Sequence, residues 1–513
     1  MEIRSQNKQL AINLISSLVT FLLGIGISFF LTPFIVRNLG ASAYGFVGLS
    51  MQVINYTSLI TLALNSMAGR FITIAYIQSR FNDANKYFSS VFYSNIFLSV
   101  LILLSMGFCV MYIEIIFDVP EELLVDVKLL FSLLVLNTII GLLSNIYSIA
   151  TFIKNRLELS SLRTLIGNII KAITLFGLFS IFSPKLWFFG ISSILVTTYV
   201  AFANYRYTKW LTPELNVSRS FFDVKSIKEL VSSGIWNVIT KIGELLGAGM
   251  SLILANLFIG AEAMGVKSLS ATVPAFVLSV FASISGVFAP SLTQLYAKGQ
   301  IKELLNELNK SVRILGFLTA IPFVCLITYG YDFYSLWLPT QNATVLETMT
   351  IISALSLVLC MPLEVLWNIF TITNRVKHTS IFLVFQNFLT FIIAIIFIPL
   401  FNSMEYKLYA LCIAGSFTSL IKTLFFLPLY GAKCLQLPFS TFYKVMGKSF
   451  ICFIIGLLPT LFLRFLFKAN TWIELIILCA LCTVICIIIN YNLLLLKTDR
   501  AYFKKHLPII KNL

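Results

Sequence analysis

Lys241 and Glu244 stand three residues apart in the middle of a long apolar run. On a helix that spacing puts both on one face. A charge at the centre of a membrane helix costs roughly 2.5 to 3.5 kcal/mol on insertion scales, so such residues are kept where they pair or serve a path for ions or substrate. Two readings follow: a structural ion pair, or a division of labour in which Lys241 meets an anionic substrate and Glu244 handles a proton. Lys241 falls about twelve residues into its expected helix, roughly 18 Å deep. Gly243 and Gly247 beside them form a GxxxG pattern, which permits close helix packing. Lys171 and Lys422 lie about eight or nine residues from an expected helix end, within reach of a snorkelling stem. Arg70 sits late in its helix, as a basic anchor or at the mouth of a cavity, and Glu364 is a second carboxylate in an apolar segment. Lys241, Lys171, Lys422 and Arg70 are therefore the candidate headgroup or cavity residues for an anionic substrate. Glu244 and Glu364 are the candidates for ion coupling.

Other chemistry is poorly provided for. The nine cysteines are an odd number, and Cys479, Cys482 and Cys486 lack His or carboxylate partners in their segment. They read as small packing residues, with no metal or cofactor implied. The chain has two histidines, His378 and His506, and no GxxxxGK[ST] phosphate loop, which argues against ATP hydrolysis.

The elements that position these residues are membrane helices. The chain is 58% hydrophobic and only 11% charged, with a mean hydropathy of +0.93, so its solvent is lipid. Apolar runs of about 20 residues, each long enough for a roughly 30 Å hydrocarbon core, recur throughout. Breaks at Gly, Pro, Asn and charged clusters predict helices near 10–36, 43–78, 86–117, 123–153, 163–182, 186–207, 229–258, 265–297, 310–331, 343–373, 379–400, 406–430, 443–467 and 472–496. The first reads as a retained helix rather than a signal peptide, because it lacks a small-residue cleavage site. The net charge of +16 would point to nucleic acid in a soluble protein. Here it reflects loops: the N-terminus, even-numbered loops and C-terminal tail hold 27 of the 37 Lys and Arg, the odd-numbered loops seven and helix interiors three. Positive residues are retained in the cytoplasm, which places both termini there and makes the helix count even.

A repeat divides the chain. GASAYGFVGLSMQV, Gly40 to Val53, matches GAEAMGVKSLSATV, Gly260 to Val273, at seven of fourteen positions with an offset of 220. Asn155 and Arg156 match Asn374 and Arg375 at 219. Six intervening helices give both halves the same orientation. The expected layout is an N-terminal lobe over 1–207, a cytoplasmic linker over 208–228, a C-terminal lobe over 229–432, and two further helices with a basic tail over 433–513. The fold class is thus an all-α polytopic membrane protein of about fourteen transmembrane helices: two parallel six-helix lobes around a central cavity plus two C-terminal helices.

The stretch FFLTPFIVRNLGASAYGFVGLSMQV, Phe29 to Val53, and its copy LFIGAEAMGVKSLSATV from Leu257 resemble the polysaccharide-transport branch of the multidrug/oligosaccharidyl-lipid/polysaccharide exporter superfamily, especially Wzx-type O-antigen and capsule repeat-unit flippases. The likeness covers nearly the whole chain. It implies a V-shaped cavity, alternating access, and a bacterial cytoplasmic (inner) membrane location. The implied cargo is an undecaprenyl-diphosphate-linked oligosaccharide, and the implied partners are the lipid bilayer and other polysaccharide-assembly proteins, not nucleic acid. Helices 13 and 14 would, by the same resemblance, form a groove for the lipid tail. An ion-coupled multidrug exporter of the same superfamily is the alternative, disfavoured because Glu244 and Glu364 are the only deep carboxylates. A membrane polysaccharide polymerase or glycosyltransferase is a third reading, opposed by short outer loops without a paired acidic motif.

Overall fold

Apolar side chains alone do not make a membrane fold, because each peptide N–H and C=O also needs a partner where water is absent. In the computed structural model, helix is the only regular structure among the described residues, which are 2–154, 156–288, 291–292, 295–296, 298–373, 375–496 and 500. The repeat positions Asn155 and Asn374, the basic tail beyond Arg500 and the side chain of Glu244 lie outside the described set.

One run, Glu2–Ile77, is broken at Gly40 into α1 (2–39) and α2 (41–77). There follow α3 (Phe81–Met111), α4 (Leu124–Asn145, continued through a 3-10 turn to Ile153), α5 (Leu157–Ile181), α6 (Phe188–Leu211), α7 (Val224–Phe258) and α8 (Ala261–Val287). The series continues with α9 (Ile301–Trp337), α10 (Ala343–Leu363, continued to Ile372), α11 (Val376–Phe397), α12 (Met404–Ile421, continued to Cys434), α13 (Tyr443–Leu466) and α14 (Trp472–Leu493). By length and composition, twelve stretches among the described residues can cross a membrane; one of them, Leu23–Ile77, contains both α1 and α2, and α7 holds a shorter apolar stretch, Gly249–Phe258. Each of the fourteen expected segments overlaps one of these helices. The fold is an all-α, multi-pass membrane protein.

The repeat extends to backbone geometry. Gly40 and Gly260 both have positive φ, +84° and +129°, as do Ser79 and Gly299, +57° and +69°; both pairs are separated by 220 residues. In the second pair's turns, Arg80 N–H donates to Ala75 O at 2.9 Å and Gln300 N–H to Leu295 O at 3.0 Å. The turns after α4 and α10 also match, Arg156 to Thr151 and Arg375 to Phe370, each at 2.8 Å. Glycine suits φ near +84° and beyond because it carries no Cβ to clash.

The chain forms two compact units, Met1–Gly265 and Val266–Leu513. In the first, α4 packs on α6, and α5 on α1 and α6. α2 runs along α7, where a side chain on Gly234 would overlap the Ala63 carbonyl and one on Gly249 would lie 2.5 Å from the Tyr56 hydroxyl. Tyr56 Oη donates to Leu245 O at 3.1 Å. Tight approaches thus occur at Gly234 and Gly249, while Gly247 of the GxxxG pair lies outside the described side chains.

The segment between α6 and α7 is strapped to α3. Asn85 donates to Glu214 O at 3.0 Å and accepts from Asn216 N–H at 2.9 Å; Ser89 accepts from Ser218 N–H at 3.1 Å; Ser90 accepts from Asp223 N–H at 2.8 Å. Buried Asn85, Ser89 and Ser90 thereby satisfy backbone groups of a connection whose only regular structure is a 3-10 turn, Arg219–Phe221. Asp223 caps α7, accepting from Ser226 N–H at 3.0 Å and Ser226 Oγ at 2.7 Å, so the helix starts at Val224 rather than near 229.

In the second unit α9 packs on α10, α13 and α14 over a continuous apolar core that contains Cys482 and Cys486. All nine cysteines are free thiols. Asp332 on α9 pairs with Arg464 on α13 and accepts from Ala469 N–H at 3.0 Å, while the guanidinium lies 5.4 Å from the Tyr329 ring centre. A buried carboxylate with two donors is satisfied, whereas removal of one partner would strand the other.

The strap has a pH signature. A hydrogen bond from the Tyr76 hydroxyl, 2.6 Å from Oε2, holds the Glu214 carboxyl below its ordinary range. The Ser226 hydroxyl does the same for Asp223. Both carboxylates bind protons more weakly in the folded chain, so their contribution is complete above the ordinary carboxylate range near pH 4 and lost as pH falls through it. The thermal unfolding midpoint in detergent should drop from about pH 5 to about pH 3, and the Glu214→Gln/Asp223→Asn double variant should show a flatter profile. An identical profile would remove the strap from the acid response.

Candidate substrate pocket and intramembrane charges

Arg70 lines a cavity of about 480 Å3 between the second half of α2 and the end of α4. The walls are polar for a membrane segment: Asn65, Ser66 and Thr73 from α2, Asn145 and Ser148 from α4. Local structure explains the shape. After Asn145 the chain passes through a 3-10 turn, Ile146–Ser148, whose carbonyls and side chains are displaced from a regular helix. Behind the wall, Asn65 and buried Asn95 exchange amide hydrogen bonds of 3.0 and 3.1 Å, and Asn95 also donates to Leu142 O at 3.2 Å. That network ties α2, α3 and α4 at one level. Thr73 Oγ1 is buried with no partner. The arrangement offers one exposed guanidinium with amides and hydroxyls around it, suited to an anionic group carrying hydroxylated or amide substituents.

A second polar cluster lies wholly inside the second unit. Pro362 interrupts α10 and is followed by a 3-10 turn, Glu364–Leu366, the repeat counterpart of the turn after Asn145. Proline lacks the N–H that would continue the ladder, which accounts for the break. Cys360 Sγ lies 3.6 Å from Glu364 Oε1, and Lys422 is an electrostatic neighbour of both. Lys422 opens a π-helical turn, Lys422–Phe426, in α12. Such turns leave a widened helix and unpaired backbone groups, and they recur at functional positions.

The remaining sequence candidates stand apart from these clusters. Lys241 is half-buried and is the central residue of α7, seventeen from each end. It shares the helix with Glu244, whose side chain lies outside the described residues. Lys171 is half-buried within α5 and is not part of the Arg70 cavity. The structure thus brings Glu364 and Lys422 together and gives Arg70 a pocket whose lining does not include Lys171 or Lys241.

Two polar features escaped the sequence reading. The Asn65/Asn95 pair spans thirty residues, and only the presence of amides in apolar runs hints at it. Lys267, two residues into the helix expected over 265–297, lies within α8, which begins at Ala261; it is buried, and its Nζ donates to Cys412 Sγ at 3.2 Å.

No group of His, Cys, Asp and Glu that could hold a metal occurs among the described residues. The polysaccharide biosynthesis protein family model matches residues 34–333, and the chain belongs to that family. The chain is 29% identical over 465 residues, 91% of each chain, to the uncharacterized membrane protein EpsK of Bacillus subtilis (strain 168). Among solved structures, it is similar to the lipid II flippase MurJ in an inward closed conformation, with a TM-score of 0.68 and 16% identity over 94% of this chain and 98% of that one. It is also similar to an inward-facing MATE family multidrug resistance transporter, with a TM-score of 0.63 and 13% identity over 83% and 97%.

The second cluster makes a stability prediction. Lys422→Met leaves Glu364 without its nearby cation, and the thermal midpoint should fall by the equivalent of about 2 to 4 kcal/mol. Adding Glu364→Gln should recover most of that loss. If Lys422→Met unfolds at the native temperature, the two groups are not energetically coupled.

Proposed function

We propose that this chain is a flippase that moves an undecaprenyl-diphosphate-linked oligosaccharide repeat unit from the cytoplasmic to the outer leaflet of a bacterial cytoplasmic (inner) membrane by alternating access. Both termini are cytoplasmic in this reading. The lobes are 1–207 and 229–432, joined by the 208–228 linker, with 433–513 supplying the last two helices and the tail. The observation that carries the proposal is the Arg70 cavity, in which a single exposed guanidinium is set among amides and hydroxyls. That composition fits a sugar-phosphate headgroup better than the apolar body of a drug.

Arg70, Lys241, Lys171 and Lys422 form the cationic set that offsets the headgroup charge as it leaves water, since an unpaired anion is costly in low dielectric. An inside-negative potential of 100 mV adds about 2.3 kcal/mol per elementary charge to outward movement of an anion. Glu364, beside Lys422 at two helix distortions, and Glu244 are the groups assigned to ion coupling. The second reading, an ion-coupled multidrug exporter, draws on the same Glu364 cluster.

The experiment is deletion of the gene and complementation in its own host. Loss of the protein should abolish surface polysaccharide and leave lipid-linked repeat units accumulated on the cytoplasmic side. Lys241→Ala and Arg70→Ala should each lower export by at least about tenfold at unchanged protein level, equivalent to losing roughly 1.4 kcal/mol of headgroup interaction. Arg70→Lys should retain a part, because the charge survives while the planar fork is lost. Normal polysaccharide in the deletion strain, coupled with drug sensitivity, would favour the exporter instead.

A further inference from the structure

A guanidinium carries several N–H donors, and each one left without an acceptor away from water is costly. Arg163, half-buried on α5, satisfies one nitrogen: Nη2 donates to Ser160 Oγ at 2.8 Å. Its Nε and Nη1 are buried and meet no acceptor among the described residues. The electrostatic neighbours of the group are Tyr199 and Tyr207 of α6, whose hydroxyls supply no counter-charge. The carboxylate nearest in sequence, Glu158, is paired with Arg156. Arg163 is thus a buried cation with donors to spare, apart from both the Arg70 cavity and the Glu364 cluster.

The duplication shows that packing does not demand this charge. At the offset of 219, Arg163 and Tyr207 correspond to Phe382 and Phe426. In the second unit those two rings stack at 3.8 Å between centres and 6° between planes. The same pair of positions therefore closes well with apolar side chains. A cation in its place is expensive in a membrane helix and needs an anion to offset it.

The place in the bilayer narrows the choice of anion. At the ends of these helices the Arg156 guanidinium lies 5.6 Å from the ring centre of exposed Trp210, a pairing suited to the membrane–water boundary. Arg163 follows Arg156 by seven residues, about 10 Å along the helix axis, and its side chain leans back toward that boundary, as the Ser160 contact shows. One turn further in the helices close up, since a Cβ on Gly167 would lie 3.1 Å from Val196 Cγ1. Leu162, Ile169 and Phe202 are exposed apolar side chains on the same two helices. Exposed Arg206 and Lys209 on α6 add positive charge at the same end.

We propose that Arg163 holds the phosphate of a resident anionic phospholipid, seated between α5 and α6 with its acyl chains along Leu162, Ile169 and Phe202. The planar guanidinium matches phosphate oxygens, and a lipid brings that phosphate to this depth with the apolar surface needed around it. Charge counting makes this the cytoplasmic leaflet. The site requires a membrane chain but no particular cargo, so it stands or falls independently of the flippase reading.

Native mass spectrometry of the purified chain, titrated with phosphatidylglycerol or with phosphatidylcholine of the same acyl chains, tests it. The native chain should retain phosphatidylglycerol about tenfold better, and Arg163→Gln should bring the two lipids level. Arg163→Lys should keep part of the preference, and Lys225→Gln, which removes an exposed cation outside the site, should keep all of it. Undiminished preference in Arg163→Gln would overturn the proposal. If that variant fails to fold, the native chain answers alone: an arginine-specific dicarbonyl reagent should label Arg163 about tenfold more slowly in nanodiscs containing phosphatidylglycerol than in phosphatidylcholine alone. Equal labelling in the two would overturn it. So would protection by inorganic phosphate in the absence of phosphatidylglycerol, which would make this a site for soluble anions, or protection by a lipid-linked oligosaccharide where phosphatidylglycerol gives none, which would make it a cargo site.

Discussion

In hydrocarbon an unpaired peptide group has nowhere to turn, so the cost of interrupting a helix governs where this protein can place chemistry. Its helices run without break through lipid-facing stretches such as α3 and α14. They break at Gly40, after Asn145, at Tyr329, after Pro362 and at Lys422. Several of those interruptions carry a polar cluster: the Arg70 cavity wall at Asn145, and the Glu364 and Lys422 turns that face one cluster in the second unit. Distortion and polarity coincide because irregular backbone in a membrane is tolerated where protein or a cavity can satisfy it. A buried charge in turn needs donors and acceptors that a regular helix keeps for itself.

The same constraint explains which parts of the structure were legible in the sequence. Fourteen helices could be read because each requires a run of apolar residues bounded by polar or helix-breaking ones, a local property. The duplication was legible because Gly40 and Gly260 must adopt a conformation other residues avoid, so identity persists there while lipid-facing positions drift. The clusters were less legible. Arg70, Glu364 and Lys422 stood out singly as charges in apolar runs, but the pairing of Glu364 with Lys422 joins positions 58 residues apart, and no local pattern encodes that distance. Asn65 and Asn95 are a harder case, since an amide in an apolar helix can equally bond its own preceding turn, as Asn387 does with Leu383. Lys267 fell inside an expected helix, but its contact with Cys412, 145 residues away, has no local signal.

The halves preserve geometry while exchanging chemistry. Asn145 immediately precedes one 3-10 turn and Glu364, 219 residues on, opens its counterpart, yet one lines a cavity beside an exposed arginine and the other is half-buried with a lysine and a thiol. A duplicated helix break is the costly part to evolve, because it must be supported by surrounding packing. Once it exists, a single substitution changes a neutral amide to a carboxylate. One half then offers a neutral polar wall beside Arg70, while the other holds a charge pair whose balance depends on its surroundings.

Glycine does two separate jobs in this architecture, and only one of them is conformational. Gly40 and Gly260 turn the backbone through positive φ, whereas Gly45, Gly234, Gly249 and Gly265 sit in regular helix and are needed for what a side chain would strike. The second group all lies on the α2 contacts, from Ala63 facing Gly234 to Ala41 facing Gly265. At these positions the helices gain van der Waals contact through backbone proximity that any larger residue would prevent.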